Sequence, residues 1–147
     1  MSNYELDRAQ RRVQILEHRE RMIHRITGGA IDQKISIVYV FGPYSANSPM
    51  PIDVNIKRAE GVAIKAIAKG WFALTPHLNT AQFDRHCPDV PIDFWYQGDL
   101  RLMAMCDALV GVEGWERSTG SMKERKFAQR LGIPVYESID ELPDLGE

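Results

Sequence analysis

The sequence predicts an α/β sandwich: a mostly parallel sheet of four or five strands with helices on both faces, plus an extra N-terminal amphipathic helix. Three observations predict it. Short β-rich apolar runs alternate with longer segments at helical spacing. Glycine or proline punctuates most of the junctions. No internal repeat or low-complexity segment interrupts the alternation. At 147 residues and 44% hydrophobic, the chain has material for one core, so residues 31–147 are read as one α/β domain and 1–30 as a helical extension.

Taken in order, residues 4–26 place Leu6, Ala9, Val13, Leu16 and Ile23 on one helical face among many charges. Glu20 occupies the slot where that stripe next wants an apolar residue, which argues against a long coiled coil. The helix ends at Gly28-Gly29. Its polar face mixes acids with arginines, so packing on its own domain or on a second subunit is preferred to lying on a membrane. From Ile35 to Phe41 a β-branched and aromatic run reads as a buried strand, closed by Gly42-Pro43. Helical spacing follows from Asp53 to Lys69 and stops at Gly70. Trp71 to Thr75 is a second strand ending at Pro76, Ile92 to Cys106 a second core helix, and Ala108 to Val112 a third strand. Ser121 to Leu131 is a helix closed by Gly132, and Ile133 to Tyr136 a fourth strand. Ligands of such sheets bind beyond the carboxyl ends of the strands, which directs attention to loops 42–50, 76–80 and 113–121.

Composition excludes several classes. A formal charge of -2 and a pI near 6.1 give no general attraction to a nucleic acid polymer or an anionic membrane. Cys87 and Cys106 follow no redox or metal spacing, which fits a reducing compartment. The polar N-terminus lacks a signal-peptide core and no run is long enough to span a bilayer, so the cytoplasm is expected. His77, His86 and Cys87 match no zinc pattern, and no metal is expected. Gly42-Pro43-Tyr44-Ser45 lacks the later glycines of a dinucleotide fingerprint, which argues against an NAD-dependent dehydrogenase.

Two carboxylates carry the chemical interest. In the segment Ser118-Thr-Gly120-Ser121-Met-Lys-Glu124, small residues open a helix whose N-terminus would favour an anion. The plainer reading is a capping box, with Ser121 capping the helix and Glu124 reaching back to it. Asp99 falls inside the stripe Ile92, Trp95, Tyr96, Met103 and Cys106, where a carboxylate needs pairing, hydrogen bonding or a proton. Either it bridges to Arg101 or Arg58 at the edge of the stripe, or its raised pKa equips it for acid/base work. Two carboxyls about 5 Å apart would suit double displacement at a glycosidic carbon.

The order Val38-Tyr39-Val-Phe-Gly42-Pro43-Tyr44-Ser45, then Asp99-Leu100 with Asp107, then Ser118-x-Gly120-x-x-x-Glu124, resembles the nucleoside 2-deoxyribosyltransferase-like superfamily. The resemblance covers about residues 35–136. It implies a Rossmann-like or flavodoxin-like three-layer fold and cleavage or exchange of an N-glycosidic bond, without a cofactor. By that resemblance Glu124 is the nucleophile, Asp99 protonates the departing base and activates water, and Tyr39 orients Glu124; a core aromatic is the alternative for Tyr39. Ser118 stands where the transferases carry aspartate and the monophosphate hydrolases serine, which favours a phosphorylated substrate. Gly42, Tyr44, Ser45, His77, Asn79 and Gly120 are the further candidates for binding substrate; His77 could equally cap or pack. One of Tyr44, Trp95, Tyr96 and Trp115 is expected to stack on the base. The chain departs from the hydrolases at Pro43 and Ser45, where they carry serine and arginine, so a cation must come from Arg117 or Lys123. A (deoxy)nucleoside 5′-monophosphate N-glycosidase is the leading expectation, with base transfer as a variant. The rival is a non-catalytic nucleotide sensor or assembly subunit. A homodimer or larger homo-oligomer is expected, with the N-terminal helix as a candidate contact.

Overall fold

The computed structural model describes residues 2–31, 33–45 and 51–146. Residues 46–50, the second half of the first candidate loop, lie outside them. Helix α1, Asn3–Ile26, opens on a capping box in which the Ser2 side chain accepts from the Glu5 amide and Glu5 accepts from the Ser2 amide. Strand β1 runs Ile37–Phe41, helix α2 Ile52–Ala68 and strand β2 Phe72–Leu74. Two four-residue helices follow, α3 (Pro76–Asn79) and α4 (Phe83–His86), and then α5, Ile92–Met103. Strand β3, Ala108–Gly111, leads through a 3₁₀ turn at Trp115–Arg117 into α6, Thr119–Leu131, and the short strand β4, Val135–Tyr136.

All four strands pair in parallel, in the order β2-β1-β3-β4. The chain therefore leaves β1 in one direction and, after β2, crosses back to its other side. The carboxyl ends of β1 and β3 flank the resulting switch point, where the connections part and leave a crevice. Alternation along β1 sorts its side chains. Val38 and Val40 pack with Ala59, Ala63 and Ala66 of α2, whereas Tyr39 and Phe41 pack with Leu100 and Met103 of α5 and Ala128 of α6. Helices on both faces make three layers, as the alternation of elements predicts. No helix among the described residues is long and apolar enough to cross a membrane.

Asp107 fastens the base of the sheet. Its carboxylate accepts from the Ile37 amide at 2.8 Å, and its own amide donates to the Ile37 carbonyl at 2.8 Å. At the other end of β1, Gly42 admits the closest approach of β3: a Cβ there would lie 2.6 Å from the Val112 Cβ. Gly42 is itself buried, so the absence of a side chain serves the close packing of the end of β1 on the segment that follows β3.

Helix α6 starts earlier than its sequence suggests. Ser118, not Ser121, is the N-cap, and its Oγ accepts from the Ser121 amide at 3.2 Å. Both serines are good caps, and the earlier one prevails because the 3₁₀ turn delivers Ser118 in extended conformation at the helix start. Glu124 thus lies in the second turn, and the capping-box reading of Ser121 and Glu124 does not hold.

Candidate functional site

Three elements bring the two acids together. Tyr39 points from β1 toward the α5/α6 face, where it is buried. Asp99 comes from α5 and Glu124 from the second turn of α6. The Tyr39 hydroxyl donates to the Glu124 carboxylate. Burial pushes the Glu124 carboxyl up to about 8; the Tyr39 hydrogen bond opposes that, and the negative charge of Asp99 adds to it. Burial likewise lifts Asp99 to about 6. Tyr39 is driven well above its ordinary value by burial and by the two carboxylates, so it stays a hydrogen-bond donor. Asp99 has no ion pair among the described residues: Arg58 instead meets Glu113 at 3.4 Å, and Arg101 is exposed.

Glu124 forms part of the wall between two adjoining cavities. One, of about 280 Å³, is the more polar of the two and lies over the start of α6, lined by Arg117, Ser118, Thr119, Gly120 and Ser121 among others. Here the Ser121 side chain is buried and its Oγ has no hydrogen-bond partner among the described residues. An orphaned buried hydroxyl costs about 1–3 kcal/mol, a cost that a ligand oxygen would relieve. The other cavity, of about 320 Å³, is lined by Tyr39, Ile52, Ile92, Trp95, Asp84 and Asp99 among others. Gly42, Tyr44 and Ser45 border both. Backbone amides and hydroxyls at a helix N-terminus suit an anion, and an aromatic-walled slot suits a flat ring. A bond lying between such groups would be presented to Glu124.

His77 is buried and acts as a brace. Its Nε2–H is shared by the carbonyls of Gly42 and Pro43, at 3.1 and 2.9 Å, while its ring edge meets Tyr44 at 5.5 Å between centroids. Burial lowers its pKa, outweighing the two carbonyls, which favour the protonated ring. The Tyr44 hydroxyl in turn accepts from the Gln82 amide at 2.8 Å. His77 reaches the second cavity, but Asn79 is exposed and lines neither. Of the four aromatics considered for stacking, Tyr44 and Trp95 border the cleft. Tyr96 packs against the core, and Trp115 is buried against Phe41 at 5.7 Å with the Arg125 guanidinium over its ring. Arg117 supplies a cation beside the polar cavity, whereas Lys123 lines neither.

Sequence reasoning missed Ser121, Thr119, Thr80 and Asp84 as cleft residues. For Ser121 a signal existed, the alternative cap three residues upstream. Asp84 and Thr80 lie in or beside helices too short to carry a period.

Fold and cleft together define a class: a Rossmann-like three-layer protein with two carboxyls and a tyrosine hydroxyl gathered at its switch point. Within that class the chain belongs to the family described as a domain of unknown function, DUF7768, whose profile matches residues 36–138. No curated protein matches the chain.

Proposed function

We propose that this protein is an N-glycosidase acting on a (deoxy)nucleoside 5′-monophosphate and releasing free base and sugar phosphate. The observation that carries the reading is Glu124 in the shared wall of a polar and an aromatic cavity, with Asp99 in the latter. The phosphate sits over the start of α6, taking hydrogen bonds from the hydroxyls of Ser118 and Ser121 and charge from Arg117. The base lies in the other cavity against Trp95 or Tyr44. The sugar bridges them with its anomeric carbon toward Glu124. Resemblance of the Tyr39, Asp99 and Ser118-x-Gly120-x-x-x-Glu124 segments to the nucleoside 2-deoxyribosyltransferase-like superfamily supports the same assignment.

In the first step a Glu124 carboxylate oxygen bonds to the anomeric carbon as the C–N bond breaks, and the Asp99 proton goes to the departing base. In the second, Asp99 takes a proton from water, whose oxygen displaces Glu124. At pH 7 the free protein holds its proton mainly on Glu124, so the reactive arrangement requires that proton on Asp99 instead. Carboxyl values of about 8 and 6 make that arrangement about a hundredfold less populated. Positive charge developing on the sugar favours ionised Glu124 in the transition state, and the Tyr39 hydrogen bond works in the same direction. The chemistry needs no metal or redox cofactor.

We further place the protein in the cytoplasm as a homodimer or larger assembly; Leu6 and Val13 of α1, both about half exposed, support a subunit contact there. Incubation with a panel of ribo- and deoxyribonucleosides and their monophosphates, read as free base, tests the function. Release from monophosphates should fall at least about 10³-fold in Glu124→Gln and lose its phosphate preference in Ser118→Asp. Binding without release across the panel would mean a sensor, and release only in the presence of a second base a transferase.

A further inference from the structure

A second concave site lies at the opposite end of α6 from the cleft. Thirteen helical residues separate the two by about 20 Å, and the cavities have no lining residue in common. Where α1 crosses the carboxyl-terminal ends of α5 and α6, a groove of about 230 Å³ is lined by Arg8, Arg11, Arg12, Arg19 and Arg130 and by no acidic residue.

Part of this charge is already used. Arg8 donates to the Arg130 carbonyl, Arg12 to the Cys106 carbonyl and Arg19 to the Met105 carbonyl at 3.1 Å. These bonds cap the open ends of α5 and α6 and hold α1 in place. A guanidinium has five donor hydrogens, however, and one contact each leaves most of them free. The Nε–H groups of Arg8 and Arg12 are buried without a partner among the described residues. Outside the groove Arg11 pairs with Asp7 at 3.0 Å, and Asp107 acts on Arg12 from the sheet side. Five guanidiniums around one concavity repel one another. The carbonyl contacts of Arg8, Arg12 and Arg19 help to hold α1, which leaves the Arg130 side chain, and the donors of Arg11 that Asp7 does not use, lining the groove without another partner among the described residues.

We propose that this groove binds a short oligophosphate, either free or as the phosphate tail of a nucleoside triphosphate. Arg8 to Arg19 spans about 16 Å along α1, so a chain of phosphates can engage several guanidiniums where a single phosphate reaches one or two. Leu16 and Leu131 line the groove beside the guanidiniums, so the phosphate contacts fall to the forks. The concavity and the net negative charge of the chain favour a small ion over a nucleic acid polymer. The proposal does not depend on the glycosidase reading.

Titration calorimetry of the full chain with sodium tripolyphosphate tests it. One ion per chain is expected, weakened at least about tenfold by Arg11→Gln with Arg130→Gln, two changes that leave the carbonyl contacts of α1 intact. Arg21→Gln with Arg25→Gln, on α1 but outside the groove, should change affinity less than twofold, and Ser118→Asp in the cleft should leave it unchanged. ATP competing with tripolyphosphate would identify the tail of a nucleotide as the source; tripolyphosphate binding that ATP does not displace would identify the free ion. No binding of tripolyphosphate overturns the proposal, as does equal loss in both arginine pairs, loss in Ser118→Asp with retention in the groove pair, or binding of a single-stranded oligonucleotide alone.

Discussion

Tyr39 shows how one side chain can serve core and site at once. Its ring fills the α5/α6 face of the sheet, and its hydroxyl is the donor that Glu124 accepts from. Because both carboxyls are shifted upward, the pair titrates late. Below about pH 6 both hold protons and no carboxylate can attack; above about 8 both are ionised and no acid remains. A bell-shaped kcat/KM profile with limbs near 6 and 8 and a maximum near 7 is therefore expected for base release. Tyr39→Phe removes a donor that favours the ionised Glu124, so the alkaline limb should move upward and kcat fall by about 10²-fold or more. A profile indifferent to Tyr39→Phe would detach the hydroxyl from the chemistry. Asp107 offers the contrast: equally prominent in the sequence pattern, it is consumed in fastening β3 to β1.

Elements differ in how plainly the sequence announces them. Strands β1 and β3 are continuous apolar runs because helices cover both faces, and they are legible for that reason. Helices α3 and α4 have four residues each, too few for periodicity to show. The apolar stripe of α5 misleads in a useful way: Met103 and Cys106 are buried, but Ile92 is 85% exposed beside the cleft. Part of what reads as core is cleft lining, and this is where Asp99 sits. The start of α6 is displaced by three residues because Ser118 and Ser121 compete as caps, and that shift hides the orphan hydroxyl of Ser121. At the end of β1, Gly42→Ala places a methyl 2.6 Å from the Val112 Cβ. Chemical denaturation should show a loss of about 1–3 kcal/mol, with the mouth of the cleft displaced. A neutral result would mean that β3 yields freely at this point.

On the scale of the molecule, α1 stands apart. None of its residues is buried, its hold on the body includes three arginine-to-carbonyl contacts, and the family profile begins only after it. The core clusters contain nothing from α1. A chain of residues 32–147 should accordingly unfold in one cooperative transition with Tm lowered by no more than about 8 °C, the effect of roughly 2 kcal/mol at this size. Loss of the transition would make α1 part of the core in energetic terms. The layered architecture was open to sequence reasoning because burial periodicity follows from it. The two-chambered cleft was not, since it depends on which helix ends meet at the switch point. The most direct measurement of the central claim is intact-protein and peptide mass spectrometry after mixing with a 2-fluoro-2-deoxynucleoside 5′-monophosphate, whose fluorine slows hydrolysis of the intermediate. A sugar-phosphate adduct on the peptide carrying Glu124, lost in Glu124→Gln, is the predicted result; full base release by Glu124→Gln with no adduct would contradict it.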